Sequence, residues 1–220
     1  MSFQEGIRVR AAWRAHHGAN TFAVAVVLAV LITAIILPGR AQAATNAGAF
    51  LSELSSRAIA ELTEPGLSEA EKEARFRALI REGFDIHKIG RFVLGRYWRR
   101  ASKSQREAFL AVFEDMIVYR FLPLFADYSG EALVVGNVRQ FSDNPNLFSV
   151  SSDLKRPDGA PVQVDWRIHG KDGKYRILDV VAEGVSIAVT LRSEYASVLK
   201  QNGGDVAALT EALRAKVATL

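Results

Sequence analysis

The spacing of apolar residues changes twice along the chain, and the changes divide it into helical, extended and again helical stretches. From Ala49 to Leu62 the apolar positions recur every three or four residues, predicting an amphipathic helix that Pro65-Gly66 stops. Ser68-Glu69-Ala70-Glu71 then forms a capping box, predicting a helix through about Arg81. Phe84 to Trp98 reads as a short helix capped by Asp85 and ended at Gly95. A second box, Ser102-Lys103-Ser104-Gln105, opens a longer helix. Its Phe109, Val112, Phe113, Met116, Ile117, Phe121 and Leu124 make one wide apolar stripe, and Pro123 ends or kinks it.

From Glu131 the period falls from 3.6 to 2. Val162, Val164, Trp166 and Ile168 alternate with Gln163, Asp165, Arg167 and His169, while Phe148, Val150 and Leu154 alternate with Ser149, Ser151 and Asp153. Asp158-Gly159 and Asp172-Gly173 supply the left-handed turn positions of tight hairpins. Four strands are predicted, over 132–140, 147–155, 162–169 and 175–182. Helices return at Ser186 to Gln201 and Asp205 to Ala218, broken by Gly203-Gly204. The fold class is α+β: an antiparallel meander curled against N- and C-terminal helices, with an apolar cavity between sheet and helices.

The N-terminus carries a different signal. Arg8, Arg10 and Arg14 precede an uncharged run from Thr21 to Leu37, followed by Pro38-Gly39 and Ala41-Gln42-Ala43. Basic residues, a short apolar run, a helix breaker and an Ala-x-Ala site in that order predict a secretory signal over 1–43, cleaved after Ala43. The alternative is a retained membrane anchor, although Phe22 to Leu37 is shorter than the roughly 20 residues that a spanning helix needs. Either way the remainder lies outside the cytoplasm, in the periplasm where the leader is cleaved. Residues 44–220 form a single domain, with no linker or repeat.

Export alters the charge argument. The net charge is +4, but Arg8, Arg10, Arg14 and Arg40 against Glu5 place most of the excess in the leader. The mature part is nearly neutral, which excludes the electrostatic footprint that nucleic-acid binding needs. The chain has no cysteine, so disulfides, thiolate metal sites and thiol nucleophiles are all unavailable.

Candidate chemistry is sparse. Gly184-Val185-Ser186-Ile187-Ala188 follows a predicted strand and opens a predicted helix, as a nucleophile elbow does, but no histidine follows His169 and the sheet is an antiparallel meander. Ser186 as a helix N-cap accounts for the same residue without catalysis. His87 and His169 lack metal-ligand spacing, so no metal is expected, and no phosphate loop is present, so energy for transport would come from a partner. The expectation is a protein that is not an enzyme and has no cofactor. Arg91, Arg96, Arg99, Arg100, Lys103 and Arg106 surround Tyr97-Trp98, either as a rim for anionic head groups or an acidic partner, or as solvated helix faces.

A series of spaced motifs resembles one family. Phe84-Asp85, Arg91-Phe92-Val93-Leu94-Gly95-Arg96-Tyr97-Trp98, Ser102-x-x-Gln105, Tyr128-Ser129-Gly130-Glu131, Asp179 to Ser186 and Arg192-Ser193-Glu194-Tyr195 look like the MlaC or toluene-tolerance family across nearly all of the mature chain. The resemblance implies a periplasmic phospholipid carrier that exchanges lipid with an inner-membrane ABC-type transporter complex and an outer-membrane lipoprotein complex. Gly95-Arg96-Tyr97-Trp98 and Val164-Asp165-Trp166-Arg167 also resemble the hopanoid-associated HpnM branch, which implies a polycyclic triterpenoid and leaves the ligand open. A membrane-anchored scaffold without ligand is the remaining reading. Apolar phase, rather than the family, selects the expected lipid lining: Phe92, Phe109, Phe113, Met116, Ile117, Phe121, Val150, Val164, Trp166, Ile168, Val185 and Val189.

Overall fold

The computed structural model describes residues 38–126 and 128–218. The apolar run from Thr21 to Leu37 and its preceding arginines therefore lie outside the described residues. The chain divides into Met1–Ala43 and Ala44–Leu220, and the second is the compact unit described below.

Seven α-helices and five strands make up the described residues. Helix α1 spans Pro38–Leu62. It begins upstream of the predicted Ala49; the alanines at 41, 43, 44, 47 and 49 are strong helix formers. Helix α2 (Glu69–Gly83) starts at the Ser68 box, with both reciprocal bonds formed. The Ser68 hydroxyl and backbone hold the Glu71 carboxyl below its ordinary range. Helix α3 (Ile86–Leu94) is capped by Asp85, whose carboxylate accepts from Lys88 N at 2.9 Å.

Gly95 does more than end α3. At φ +54° it takes a conformation that disfavours a Cβ, and the chain turns directly into a further short helix, α4 (Arg96–Arg100), which the spacing alone did not predict. Helix α5 (Lys103–Phe121) starts at the Ser102 box and gives way to a 3-10 turn over Leu122–Phe125, where Pro123 lacks the amide that the next helical bond needs.

The strands are β1 (Ala132–Gln140), β2 (Leu147–Lys155), β3 (Val162–Lys171), β4 (Lys174–Ala182) and β5 (Val185–Ser186), in the order β1-β2-β3-β4-β5 and antiparallel throughout. The fifth was not predicted, being only two residues long. Glu183 and Gly184, at φ 51° and 80°, form the tight turn before it. Register shifts between Val135 and Val138, and opposite Arg167/Ile168, mark bulges that bend the strands and curl the sheet. Ser151 serves the first bulge: its Oγ accepts from Asn137 N at 3.0 Å. Helices α6 (Ile187–Gln201) and α7 (Val206–Ala218) complete the chain.

The hydrophobic interior has two parts. Phe109, Phe113 and Met116 of α5 pack with Val93 and Leu94 of α3, Tyr97 and Trp98 of α4, Leu191, Tyr195 and Leu199 of α6, and Leu209 and Leu213 of α7. Within it the Phe109 and Phe113 rings stack at 5.5 Å, each edge-on to Tyr195 at 6.3 Å. The sheet supplies the second part, with Phe148, Val150, Ile168 and Ile177 fully buried on one face. The two meet at the β4 edge, where Asp85 N donates to Ile177 O at 3.0 Å and Phe84 bridges Ile177.

Candidate functional site

Cross-strand partners point to the same face of a sheet, so the register defines which side chains share its inner side. Across β1, β2 and β3 one row is Leu133, Leu154 and Val162; the next, reaching β4, is Val135, Ser152, Val164 and Ala182; a third is Val138, Val150, Trp166 and Val180; a fourth is Gln140, Phe148, Ile168 and Ile177. This face is almost wholly apolar.

Burial along it is graded. Phe148, Ile168 and Ile177 at one end are completely covered, whereas Leu133, Leu154 and Val162 at the other remain partly exposed, as do Val135, Trp166, Val180 and Ala182. Helix α1 covers the closed end. A Cβ on Gly48 would meet Val138 Cγ2 at 3.1 Å, so α1 lies close against β1 there, and the Phe50 ring stacks on Tyr175 at 5.8 Å.

The Ser152 hydroxyl and the Trp166 indole N–H on this face are engaged with each other. Trp166 Nε1 donates to Ser152 Oγ at 2.9 Å, and that hydroxyl donates to Val164 O at 2.9 Å, which fixes the indole against the wall. Gln140 Nε2 donates to Pro145 O at 2.6 Å. Among the described residues no buried side-chain nitrogen or oxygen lacks a partner. The face thus offers broad contact area to an apolar guest and few polar groups to a charged one.

The expected lining is not gathered in one place. Val150, Val164, Trp166 and Ile168 do share the inner face. Phe109, Phe113 and Met116 instead belong to the helical core, with Ile117 packed against it, because the α5 stripe turns toward α6 and α7. Phe121 is partly buried at the end of α5. Phe92, Val185 and Val189 are solvent-exposed at 41%, 60% and 50%. The residues that complete the face, Val135, Val138, Leu154, Val162 and Val180, were absent from that expectation. Alternation in β1 and β4 could have found them, but their pairing partners could be named only from the register.

The enzyme-like motif resolves into a structural joint. Ser186 Oγ accepts from Val189 N at 3.1 Å as the N-cap of α6 and donates to Asp179 Oδ2 at 2.7 Å. Asp179, buried on β4, also accepts from Ala188 N at 3.0 Å and lies 3.5 Å from Arg167. Its carboxylate therefore ties β4, β5 and α6 together. His87 lies edge-on to Trp98 at 5.1 Å, and burial, reinforced by Lys88, holds His169 below its ordinary pKa. No group of three His, Cys, Asp or Glu suited to a metal occurs among the described residues, and no described helix is long and apolar enough to cross a membrane.

With a curled, half-covered apolar sheet in view, comparison with known proteins becomes decisive. A family model described as MlaC protein matches residues 52–215. The chain belongs to the MlaC family. It is 22% identical over 187 residues to the intermembrane phospholipid transport system binding protein MlaC of Haemophilus influenzae, covering 81% of this chain and 86% of that one. It is 21% identical over 111 residues to the toluene tolerance protein ttg2D of Pseudomonas putida, covering about half of each. Among solved structures, a phospholipid-binding protein from Ralstonia solanacearum, in complex with a phospholipid, superposes with a TM-score of 0.71 at 19% identity, covering 79% of this chain and 97% of that one. MlaC membership and this shared fold agree with the α+β architecture expected from the sequence.

Proposed function

We propose that this MlaC-family chain is a periplasmic, non-catalytic carrier that holds a phospholipid by its acyl chains and moves it between inner- and outer-membrane complexes. The observation that carries the proposal is the inner sheet face: almost wholly apolar, covered at its Phe148 end and partly open at its Leu133–Leu154–Val162 end. The names of the Haemophilus and Pseudomonas relatives and the phospholipid held by the Ralstonia protein support the same reading.

The physics demands such a surface. Each acyl CH₂ left in water costs about 0.8 kcal/mol, so two long chains cost on the order of 20 kcal/mol in transit. The lining we propose comprises Val135, Val138, Val150, Val164, Trp166 and Val180, with the head group at the open end in water. A wall this poor in donors and acceptors selects for chains over head groups. The inner-membrane partner is an ABC-type complex and the outer-membrane partner a lipoprotein complex, and export uses the 1–43 leader, removed after Ala43.

Mass spectrometry of organic extracts tests the proposal, with protein purified without detergent from its native compartment. Phospholipid at about one per chain is expected. A hopanoid in its place would redirect the carrier to the triterpenoid ligand. Protein that carries no lipid as isolated and takes none from phospholipid vesicles would overturn the carrier reading in favour of a ligand-free scaffold.

A further inference from the structure

The molecule carries two populations of arginine. On α1 and α2, four are matched to carboxylates: Arg57 to Glu82 and Glu61 at 2.6 and 3.2 Å, Arg75 to Glu64, Arg77 to Glu73 and Asp115 at 2.7 Å and to Glu114 at 3.0 Å, and Arg81 to Glu114 at 2.9 Å. Around α3, α4 and α6 the pattern reverses. Arg91, Arg96, Arg99 and Arg192 are exposed, and no described carboxylate lies within 4.0 Å of any of them. With Lys88, which alone among them is paired, to Asp85 at 3.0 Å, they line a groove of about 530 Å³ whose walls contain no acidic residue. A neighbouring hollow of about 250 Å³ shares Arg96 and Arg192 and adds Lys200.

Two of these cations are held by uncharged contacts. The Arg192 guanidinium lies over the Phe92 ring at 4.9 Å, in space left open by the missing Cβ of Gly95, which would stand 3.1 Å from Arg192 Nη2. Arg96 lies over Tyr97 at 4.9 Å and donates to its hydroxyl at 2.9 Å. Stacking positions a guanidinium while leaving edge N–H groups for carboxylates, and it does not neutralise the charge. Like charges crowded without counter-charge repel one another, a cost that an incoming anion relieves.

We infer that this groove docks an acidic segment of a partner protein, one that alternates carboxylates with at least one apolar side chain. Charge selects the carboxylates. Phe92 and Val189, the latter one turn before Arg192 on α6, supply exposed apolar contacts beside the cations. A polypeptide is favoured over a bilayer surface because the cations border a shallow groove that also presents Phe92, a mixed lining that an extended chain with alternating acidic and apolar side chains can match. The inference stands apart from the lipid reading, since the groove lies on helices and the proposed lipid face lies on the sheet.

A fluorescein-labelled peptide, Asp-Glu-Leu-Asp-Glu-Phe-Asp-Glu, provides the probe, with binding to the purified protein read by fluorescence anisotropy at low and physiological salt. Arg96→Glu combined with Arg192→Glu is expected to weaken binding at least tenfold. Lys171→Glu combined with Lys174→Glu, an equal charge change on the exposed β3–β4 hairpin, is expected to change it less than twofold. Should the first pair fail to fold, Arg91→Gln with Arg99→Gln, at two exposed positions, gives the same reading at about threefold or more. Equal loss in groove and hairpin variants, or no binding at all, overturns the inference. So does binding of phosphatidylglycerol vesicles through the same arginines without displacement by the peptide, which would assign the groove to a membrane. Lipid content measured on the same samples keeps the two readings separate: groove variants retain their lipid while losing the peptide.

Discussion

Two buried residues show how local chemistry fixes the helical half. Asp179 accepts from Ser186 Oγ and Ala188 N in a site only 6% exposed, so truncating it strands both donors and removes the joint between β4 and α6. Asp179→Ala is expected to cost about 2–3 kcal/mol in urea unfolding and Ser186→Ala about 1 kcal/mol, the ordinary loss of a cap. Ser186→Ala should leave lipid content unchanged; its loss would give that hydroxyl a role beyond capping. Tyr195 makes a pH prediction. Burial, aided by Glu194, pushes its phenol up to about 12. An unfolded tyrosine titrates near 10, so the folded state binds this proton more tightly; the stabilisation is complete below about pH 10 and is lost as pH rises toward 12. The difference amounts to about 3 kcal/mol at most. Urea melts should show the wild type losing more stability than Tyr195→Phe between pH 10 and 12, and parallel losses would place the alkaline sensitivity elsewhere.

At the scale of elements, glycine decides how closely the helices approach. A Cβ at Gly90 on α3 would stand 2.5 Å from Leu110 Cδ2 and 3.4 Å from the Phe109 ring, so a side chain there has to displace Leu110 where α3 meets α5. Gly90→Val is expected to destabilise the domain by about 1–3 kcal/mol through overpacking, measured by thermal or urea unfolding. An unchanged midpoint would mean that the α3–α5 contact yields without cost. The elements themselves were largely legible in the sequence: both capping boxes, the Asp85 cap and all four main strands appear where spacing and turn residues predict them. Local chemistry specifies those features. What escaped was set by tertiary context. The α4 turn depends on Gly95 redirecting the chain, β5 is too short for a period to emerge, and the upstream start of α1 rests on a run of alanines in which no amphipathic period stands out. The site was less legible still. Periodicity reveals that α5 has an apolar face and cannot reveal what it faces, so Phe109 and Phe113 were assigned to a ligand when they pack against Tyr195.

For the whole molecule, the consequence of two separate apolar regions is that stability and binding can be uncoupled. The helical core, with its stacked phenylalanines and Tyr195, contains side chains buried against one another; the sheet's inner face has positions that remain partly exposed. A charge placed in each should therefore fail differently. Ile117, itself partly buried, packs against the helical core, and Ile117→Asp replaces those apolar contacts with a carboxylate, so about 1–3 kcal/mol of stability is expected to be lost. Val135 sits on the inner face beside the β1 bulge and is partly exposed, so Val135→Asp can keep its carboxylate hydrated while the protein is empty. Bound acyl chains would strip that water, and the carboxylate then opposes binding. Val135→Asp should retain the wild-type circular dichroism spectrum and most of its unfolding free energy while co-purified lipid falls at least tenfold. Full lipid retention by folded Val135→Asp would remove β1 from the proposed lining. Loss of lipid by a well-folded Ile117→Asp would return the α5 stripe to it.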